Sequence, residues 1–382
     1  MANDKDFVVN GPVVVGKDTK VTVGSIAAGT VDLSTGNYFD EALTANTTYT
    51  ISNAGAVQAF QLEVTGGAVE GVSNSSYDSK LLDYGSQTLY ARGIAWKTDG
   101  ARLYVVSGST ASTRKVYQYN LSTNWDVSTA TYSTSDDISA QSTSAEGVTF
   151  KPDGTAMFVV DRDNDTVYQY TLSTAWAVNT ASYASKSFSV ASRETQPTGV
   201  RFSSDGTKMF IIGYTGDDIN EFTLSTAWDV STASYDSVFS VASETTTPTG
   251  FDFNSDGTFM VVCSNDTTPT VYSYALSTAF DISTASLIDS FDVSSVVNSG
   301  DFQDIALGDS DSKFYVMDNN DDEINQYSAI GADATLTWPS SIEWAAGIAP
   351  AAPANGETDV FTFTTDDGGT TYTGVKSADA LS

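Results

Sequence analysis

Three aspartates at alternate positions, Asp161, Asp163 and Asp165, are the arrangement in this chain closest to a metal site. A calcium loop begins with that spacing, because alternate residues can aim oxygen ligands at one cation. The continuation departs from such a loop: Thr166 stands where a glycine makes the sharp turn, and Leu172 where a bidentate glutamate closes the shell. Calcium on these three carboxylates is thus weighed against a solvated acidic turn, and no other cofactor is expected. Paired carboxylates that cleave a glycosidic bond are the second chemistry to consider. One inner-strand position reads Ala95, Thr149, Arg201, Asp252 and Ala306 in successive repeats. A single acid beside a single arginine predicts a structural ion pair rather than a catalytic one. Histidine is absent and cysteine occurs once, as Cys263, so neither a Ser-His-Asp or Cys-His nucleophile nor a His or paired-Cys zinc site can be built. The chain reads as a non-enzyme.

A repeat positions these residues. The phrase Leu-Ser-Thr-x-aromatic begins at Leu121, Leu172, Leu224 and Leu276, in steps of 172−121 = 51, then 52 and 52. Upstream of each phrase an Asp-Gly pair separates two short apolar runs, as in Gly199-Val-Arg-Phe-Ser-Ser-Asp-Gly-Thr-Lys-Met-Phe-Ile-Ile. Asp-Gly between β-rich runs marks a hairpin, because glycine supplies the positive φ of the turn. A fifth copy has Ser310-Asp311 in place of Asp-Gly, and aspartate tolerates the left-handed region. Each unit therefore reads as four strands, a to d, and a period near fifty reads as a radial repeat. The fifth copy lacks a fourth strand after Tyr327, while Ser76-Tyr-Asp-Ser-Lys-Leu-Leu-Asp matches the fourth strand at Ser234-Tyr-Asp-Ser-Val-Phe-Ser. The expectation is a five-bladed β-propeller over residues 76–330, closed by its N-terminal strand.

The aromatics of the phrase, Trp125, Trp176, Trp228 and Phe280, hold one place in the c–d turn and are assigned to packing rather than to sugar stacking, since equivalent residues serve the shared architecture. The b–c loops differ between units, so Asp163, Asn164, Tyr214, Asp217, Asp266, Asn319 and Asn320 are the candidate partner-facing residues. A net charge of −31 sets nucleic acid aside, because affinity for phosphate backbones comes from lysine and arginine. No apolar run is long enough to cross a membrane as a helix, so no membrane insertion is expected.

The flanks read as two pieces of one β-sandwich, residues 29–75 and 331–382, preceded by an attachment arm over residues 1–28. The first piece carries Ala59-Phe-Gln-Leu-Glu-Val-Thr-Gly. The second carries Trp338-Pro-Ser-Ser-Ile-Glu-Trp, Asp359-Val-Phe-Thr-Phe and Asp367-Gly-Gly-Thr-Thr-Tyr. Together these phrases resemble a β-sandwich module of tailed-bacteriophage virion proteins, especially tail fibres and appendages, and the opening Asp6-Phe-Val-Val-Asn-Gly-Pro is similar to the start of fibre proteins. The departure from that pattern is the separation of the two pieces by the repeats. Trp338 and Trp344 are assigned to the sandwich core.

The resemblance implies a virion structural protein at the particle surface, bound to other virion proteins and to itself as a homo-oligomer such as a trimer. Its propeller would face a host glycan or protein. Capsid decoration or a neck position is the alternative within that class, and a glycan depolymerase using propeller carboxylates is the alternative outside it.

Overall fold

The computed structural model of the chain describes residues 22–381 apart from positions 28, 44–46, 67, 70, 109–113, 299, 329–331, 334–335 and 354–356. Most of the expected N-terminal arm lies outside the described residues, as does the middle of the first b–c loop. The described residues are almost entirely strand and turn, and none of their helices is long or apolar enough to cross a membrane. They divide into two compact units: the described residues of 22–69 with those of 333–381, and the described residues of 71–332.

The second unit holds five four-stranded antiparallel sheets. Sheet 1 comprises Ala91–Trp96, Arg102–Ser107, Lys115–Leu121 and Ala130–Asp137 as strands a to d. In the same order sheet 2 has Ala145–Phe150, Ala156–Asp161, Thr166–Leu172 and Ala181–Ser189, and sheet 3 has Pro197–Phe202, Lys208–Gly213, Asp218–Leu224 and Ala233–Ser240. Sheet 4 has Pro248–Phe253, Phe259–Ser264, Thr270–Leu276 and Ala285–Asp292. Sheet 5 takes Phe302–Gly308, Lys313–Asp318 and Glu323–Ser328 from its own repeat and Ser76–Asp83 as its outer strand, with Tyr327 opposite Tyr77 and Glu323 opposite Asp83.

The a strands touch in the cyclic order 1-2-3-4-5-1, which is the arrangement of a β-propeller. Burial follows from it. Strands a and b lie between neighbouring sheets and read as continuous apolar runs such as Met157-Phe-Val-Val, whereas the d strands broadly alternate half-buried with exposed residues. Gly147 marks how closely the a strands approach: a Cβ there would lie 3.0 Å from the Cα of Gly199.

Each c–d turn locks onto its own sheet. Trp125, Trp176, Trp228 and Phe280 all adopt positive φ, between 54° and 66°, a conformation that bulky residues reach only when packing compensates the strain. The compensation is the glycine of the a–b hairpin. A methyl group on Gly206 would sit 2.1 Å from the Trp228 indole, and Gly100, Gly154 and Gly257 stand in the same relation to Trp125, Trp176 and Phe280. The hairpin glycine therefore serves twice, as the positive-φ residue and as the seat of a ring. Asp126, Asp229 and Asp281 each accept the N–H two residues on and cap the short 3₁₀ turn that follows.

The preceding sheet grips the same turn. Tyr104 and Tyr315 donate to the carbonyls of Trp176 and Trp125, both at 2.7 Å, while Lys80 and Lys186 pair with Asp126 and Asp229 at 2.7 Å. The aromatic series is architectural in these contacts.

The first unit joins both flanks in one mixed sheet, in the order Tyr38–Ala42, Gln58–Thr65, Thr358–Thr365, Tyr372–Leu381, Ile342–Trp344. The Leu-Glu-Val-Thr strand lies antiparallel to the Asp-Val-Phe-Thr-Phe strand, with Leu62 opposite Phe361 and Val64 opposite Asp359. Phe39, Phe60, Leu62, Val64, Phe361 and Phe363 are buried beneath it. Trp338 packs on Trp344 at 5.1 Å and on Phe361 at 4.9 Å, and its indole N–H donates to the Pro350 carbonyl at 2.8 Å.

Candidate functional site

Antiparallel order places the b–c turns and d–a loops at one end of the ring and the a–b and c–d turns at the other. At the first end, Asp163, Asn164 and Asn320 are exposed, and Tyr214, Asp217, Asp266 and Asn319 are half-buried. Asp266 is committed internally: against the upward push of burial, hydrogen bonds from Ser264 and Thr247 hold its carboxyl below the usual range. Burial and nearby Glu146 push the Tyr214 phenol up to about 12. Glu146 itself is buried between Arg92 and Arg162, at 3.7 and 3.5 Å, with burial as the main cause of its raised pKa.

The calcium expectation is corrected here. Asp161 is fully buried, and its oxygens accept the backbone N–H of Thr143, Ser144 and Asn164 and the Ser142 hydroxyl, at 2.5–2.7 Å. It ties the d–a loop to the b–c turn of sheet 2. Asp163 is exposed, while Asp165 stands at φ 46°, and no group of three carboxylates suited to a metal forms among the described residues. Alternate aspartates became a knot because backbone donors claimed the first of them. Asp161→Ala is expected to cost about 3 kcal/mol by leaving those N–H groups without an acceptor. Millimolar calcium or a chelator should leave the melting temperature of the wild type unchanged. A calcium-dependent rise of several degrees would restore the metal reading.

Along the ring axis stands Arg201. Its Nε donates to Asp252 at 3.0 Å, and its Nη2 reaches Asp304 at 3.3 Å, the Ile305 carbonyl at 3.0 Å and the Ile94 carbonyl at 3.5 Å. One side chain on sheet 3 thus bridges sheets 4, 5 and 1. Asp304 occupies the place that glycine holds in the other four a strands, and its Oδ2 also accepts the Ile94 N–H at 2.9 Å. Sequence reading paired Arg201 with Asp252 and missed Asp304, whose signal was a carboxylate in a glycine position.

Above this plug, at the a–b and c–d end, a cavity of about 480 Å³ opens, within the size range of small-ligand pockets. One side is aromatic: Trp96, Trp125, Phe150 and Trp176, with the Trp96 and Trp125 rings 5.1 Å apart and Phe150 and Trp176 5.5 Å apart. The other side is acidic, formed by Asp252, Asp309 and Asp311. The asymmetry has a sequence cause. Sheet 5 takes its outer strand from the other end of the repeat array, so no Leu-Ser-Thr phrase follows its c strand and no aromatic ring is seated on its a–b hairpin. That hairpin, Asp309-Ser310-Asp311, runs through three consecutive positive-φ residues, at 54°, 54° and 66°. Trp125 instead reaches over Gly308, where a Cβ would meet its ring at 2.5 Å.

The acids differ in freedom. Asp252 binds Arg201 and the N–H groups of Phe253 and Leu307, and burial, only partly opposed by these, raises its pKa. Asp309 pairs with Lys313, and Asp311 accepts Ser255 through one oxygen at 2.9 Å. The hydroxyls of Thr98, Thr149 and Ser310, which also line the cavity, make no hydrogen bond among the described residues. The arrangement offers stacking faces, acceptors and uncommitted hydroxyls, with its one cation already paired with two carboxylates.

No protein-family model matches the chain, and no curated protein matches it in sequence. Among solved structures, it is similar to a functionally unknown protein from Desulfotomaculum acetoxidans at 15% identity, covering 71% of this chain and 74% of that one, with a TM-score of 0.42. A proposed 6-phosphogluconolactonase of Bacteroides uniformis aligns at 11% identity over 63% and 68%, with a TM-score of 0.40. The β-propeller domain of Cps50 (Swd1) from Myceliophteria thermophila aligns at 9% identity over 67% and 100%, also at 0.40. These scores are too low to carry anything about ligand or activity.

Proposed function

We propose that the chain is a non-enzymatic binding protein of a bacteriophage particle, a tail fibre or appendage. In this reading a five-bladed β-propeller, inserted in a β-sandwich attachment module, presents its aromatic and acidic cavity to the host surface. The observation that carries the binding half is that cavity, whose walls are set by packed turns and whose floor is closed by the Arg201 ion-pair plug. The virion half draws support from the flanking phrases: their strands pair side by side in one sheet, as a single module requires. The particle context implies self-association, as a trimer or another homo-oligomer, and contact with other virion proteins.

Cryo-electron microscopy of intact particles tests the placement. Propeller density on fibres or appendages is expected, and copies at every capsomer would replace the fibre reading with capsid decoration. Hydrolysis keeps one observation in its favour, three carboxylates in one cavity. A retaining or inverting glycosidase needs a protonated acid and a second carboxylate free to attack or to activate water. Here Asp252 and Asp309 are ion-paired and Asp311 is hydrogen-bonded to Ser255. Reducing-end release from host glycans by the purified protein, lost in Asp311→Asn, would establish the enzyme instead.

A further inference from the structure

Given that the cavity is a binding site, we infer that its ligand is an uncharged sugar, a neutral pyranose or short neutral oligosaccharide. Anions are disfavoured by charge. Arg201 is the cation of the lining, and its guanidinium is spent on two carboxylates and three backbone carbonyls. Four aspartates, Asp252, Asp304, Asp309 and Asp311, stand against Arg201 and Lys313, and the excess of carboxylate leaves a field that repels carboxylated or phosphorylated ligands, in a protein already at −31.

An ammonium ion would use the aromatic faces and the carboxylates, but it offers no acceptor. The uncommitted hydroxyls of Thr98, Thr149 and Ser310 both donate and accept, which matches a partner that does the same at several positions. A pyranose does so. Its apolar face covers indole rings and its hydroxyls span donors and acceptors set at fixed places around them, and each such hydrogen bond to a charged group adds about 10-fold or more in affinity. A volume of about 480 Å³ suits one or two sugar rings, whereas an ammonium head group leaves most of it unfilled.

The Asp309–Asp311 turn supports the same assignment. Consecutive positive φ is strain, and strain of this kind is maintained where the geometry is used. No such run occurs in the four symmetric hairpins, whose single positive-φ residue is glycine beneath an aromatic ring. The uncovered hairpin is therefore the element that gives the repeat a direction and one acidic wall.

The test is intrinsic tryptophan fluorescence and calorimetry on the full chain against three panels: neutral hexoses, N-acetylhexosamines and their disaccharides; glucuronic and sialic acids; and choline. At least one neutral sugar should bind and shift the emission, with no binding of the acids. Thr149→Val and Asp311→Asn should each weaken it about 10-fold or more. Asparagine tolerates the left-handed region, so Asp311→Asn should preserve the turn. Val238→Thr, on the exposed side of the outer strand of sheet 3 and outside the cavity lining, should change nothing. Binding of choline alone, or of the acidic sugars, would overturn the neutral-sugar assignment while leaving the cavity as the binding site. Neutral-sugar binding untouched by both cavity variants, or no binding in any panel by folded protein, would overturn the inference, and the particle map tests the virion reading independently.

Discussion

Replacing Arg201 by methionine is expected to cost about 3–5 kcal/mol at neutral pH, because it strands the buried carboxylate of Asp304 and the half-buried one of Asp252 rather than removing one contact. For a unit of this size that corresponds to roughly 10 °C in melting temperature. The pH dependence gives the mechanism away. Burial lifts Asp304 from 3.8 to about 6 even with Arg201 and the Ile94 and Ile305 N–H groups pulling it down. Its folded value lies above its unfolded value, so protonation favours the folded state. Stability is greatest below the unfolded value and falls as pH rises through the folded one, between about 4 and 6 in the wild type. Without Arg201 the folded values of Asp304 and Asp252 climb further, and the loss extends to higher pH. Denaturant unfolding at pH 5 and pH 8 should thus show the variant's deficit narrowing in acid. Adding Asp252→Asn and Asp304→Asn to Arg201→Met should recover part of it at pH 8. A deficit equal at both pH values would mean that lost packing, not stranded charge, is the cause.

The ring was legible because its causes are local and repeated. Asp-Gly pairs, apolar runs and the recurring Leu-Ser-Thr phrase each fix a hairpin or turn through backbone conformation, and the offset of Ser76–Asp83 announced where the fourth strand of sheet 5 would come from. The Arg201–Asp252 pair was legible for a related reason: like positions in successive repeats are neighbours in space. The cavity was not. It arises from a breach of the repeat, where Ser310-Asp311 replaces Asp-Gly and no Leu-Ser-Thr-x-aromatic phrase follows Tyr327. Only the assembled ring brings that gap face to face with Trp96 and Trp176. Two residues carried the signal, Trp96 where other repeats have Phe or Leu and Asp304 where they have Gly. Asp161 misled for the converse reason, since the backbone donors that claim it come from the d–a loop and are not visible in a carboxylate spacing.

Ring closure rests on one strand, and Leu82→Asp should expose it. In Ser76–Asp83 the side chains alternate: Leu82 is 7% exposed and packs with Tyr84, Ile94, Met317 and Ile324, while Leu81 is 37% exposed. Truncating such a leucine costs about 2–5 kcal/mol, and a buried unpaired carboxylate adds its own desolvation, so a loss beyond about 5 kcal/mol is expected. The consequence exceeds the core defect, because this strand joins the end of the array to its start. Leu82 lies opposite Ile324, 242 positions away, and the segment before it is pinned where Asp289 accepts the N–H groups of Val72 and Ser73. Release of the strand would leave Glu323–Ser328 as an unpaired edge strand and uncover Ile324 and Tyr327, a template for association between chains. Leu82→Asp should therefore give early protease cleavage near residues 76–83 and concentration-dependent aggregation, seen by proteolysis with mass spectrometry and by size-exclusion chromatography. Leu81→Asp, one residue away on the exposed side, should stay within about 0.5 kcal/mol of the wild type. If the two variants behaved alike, the strand would not be held by its buried side, and closure of the ring would have to come from the contacts between the a strands of sheets 5 and 1.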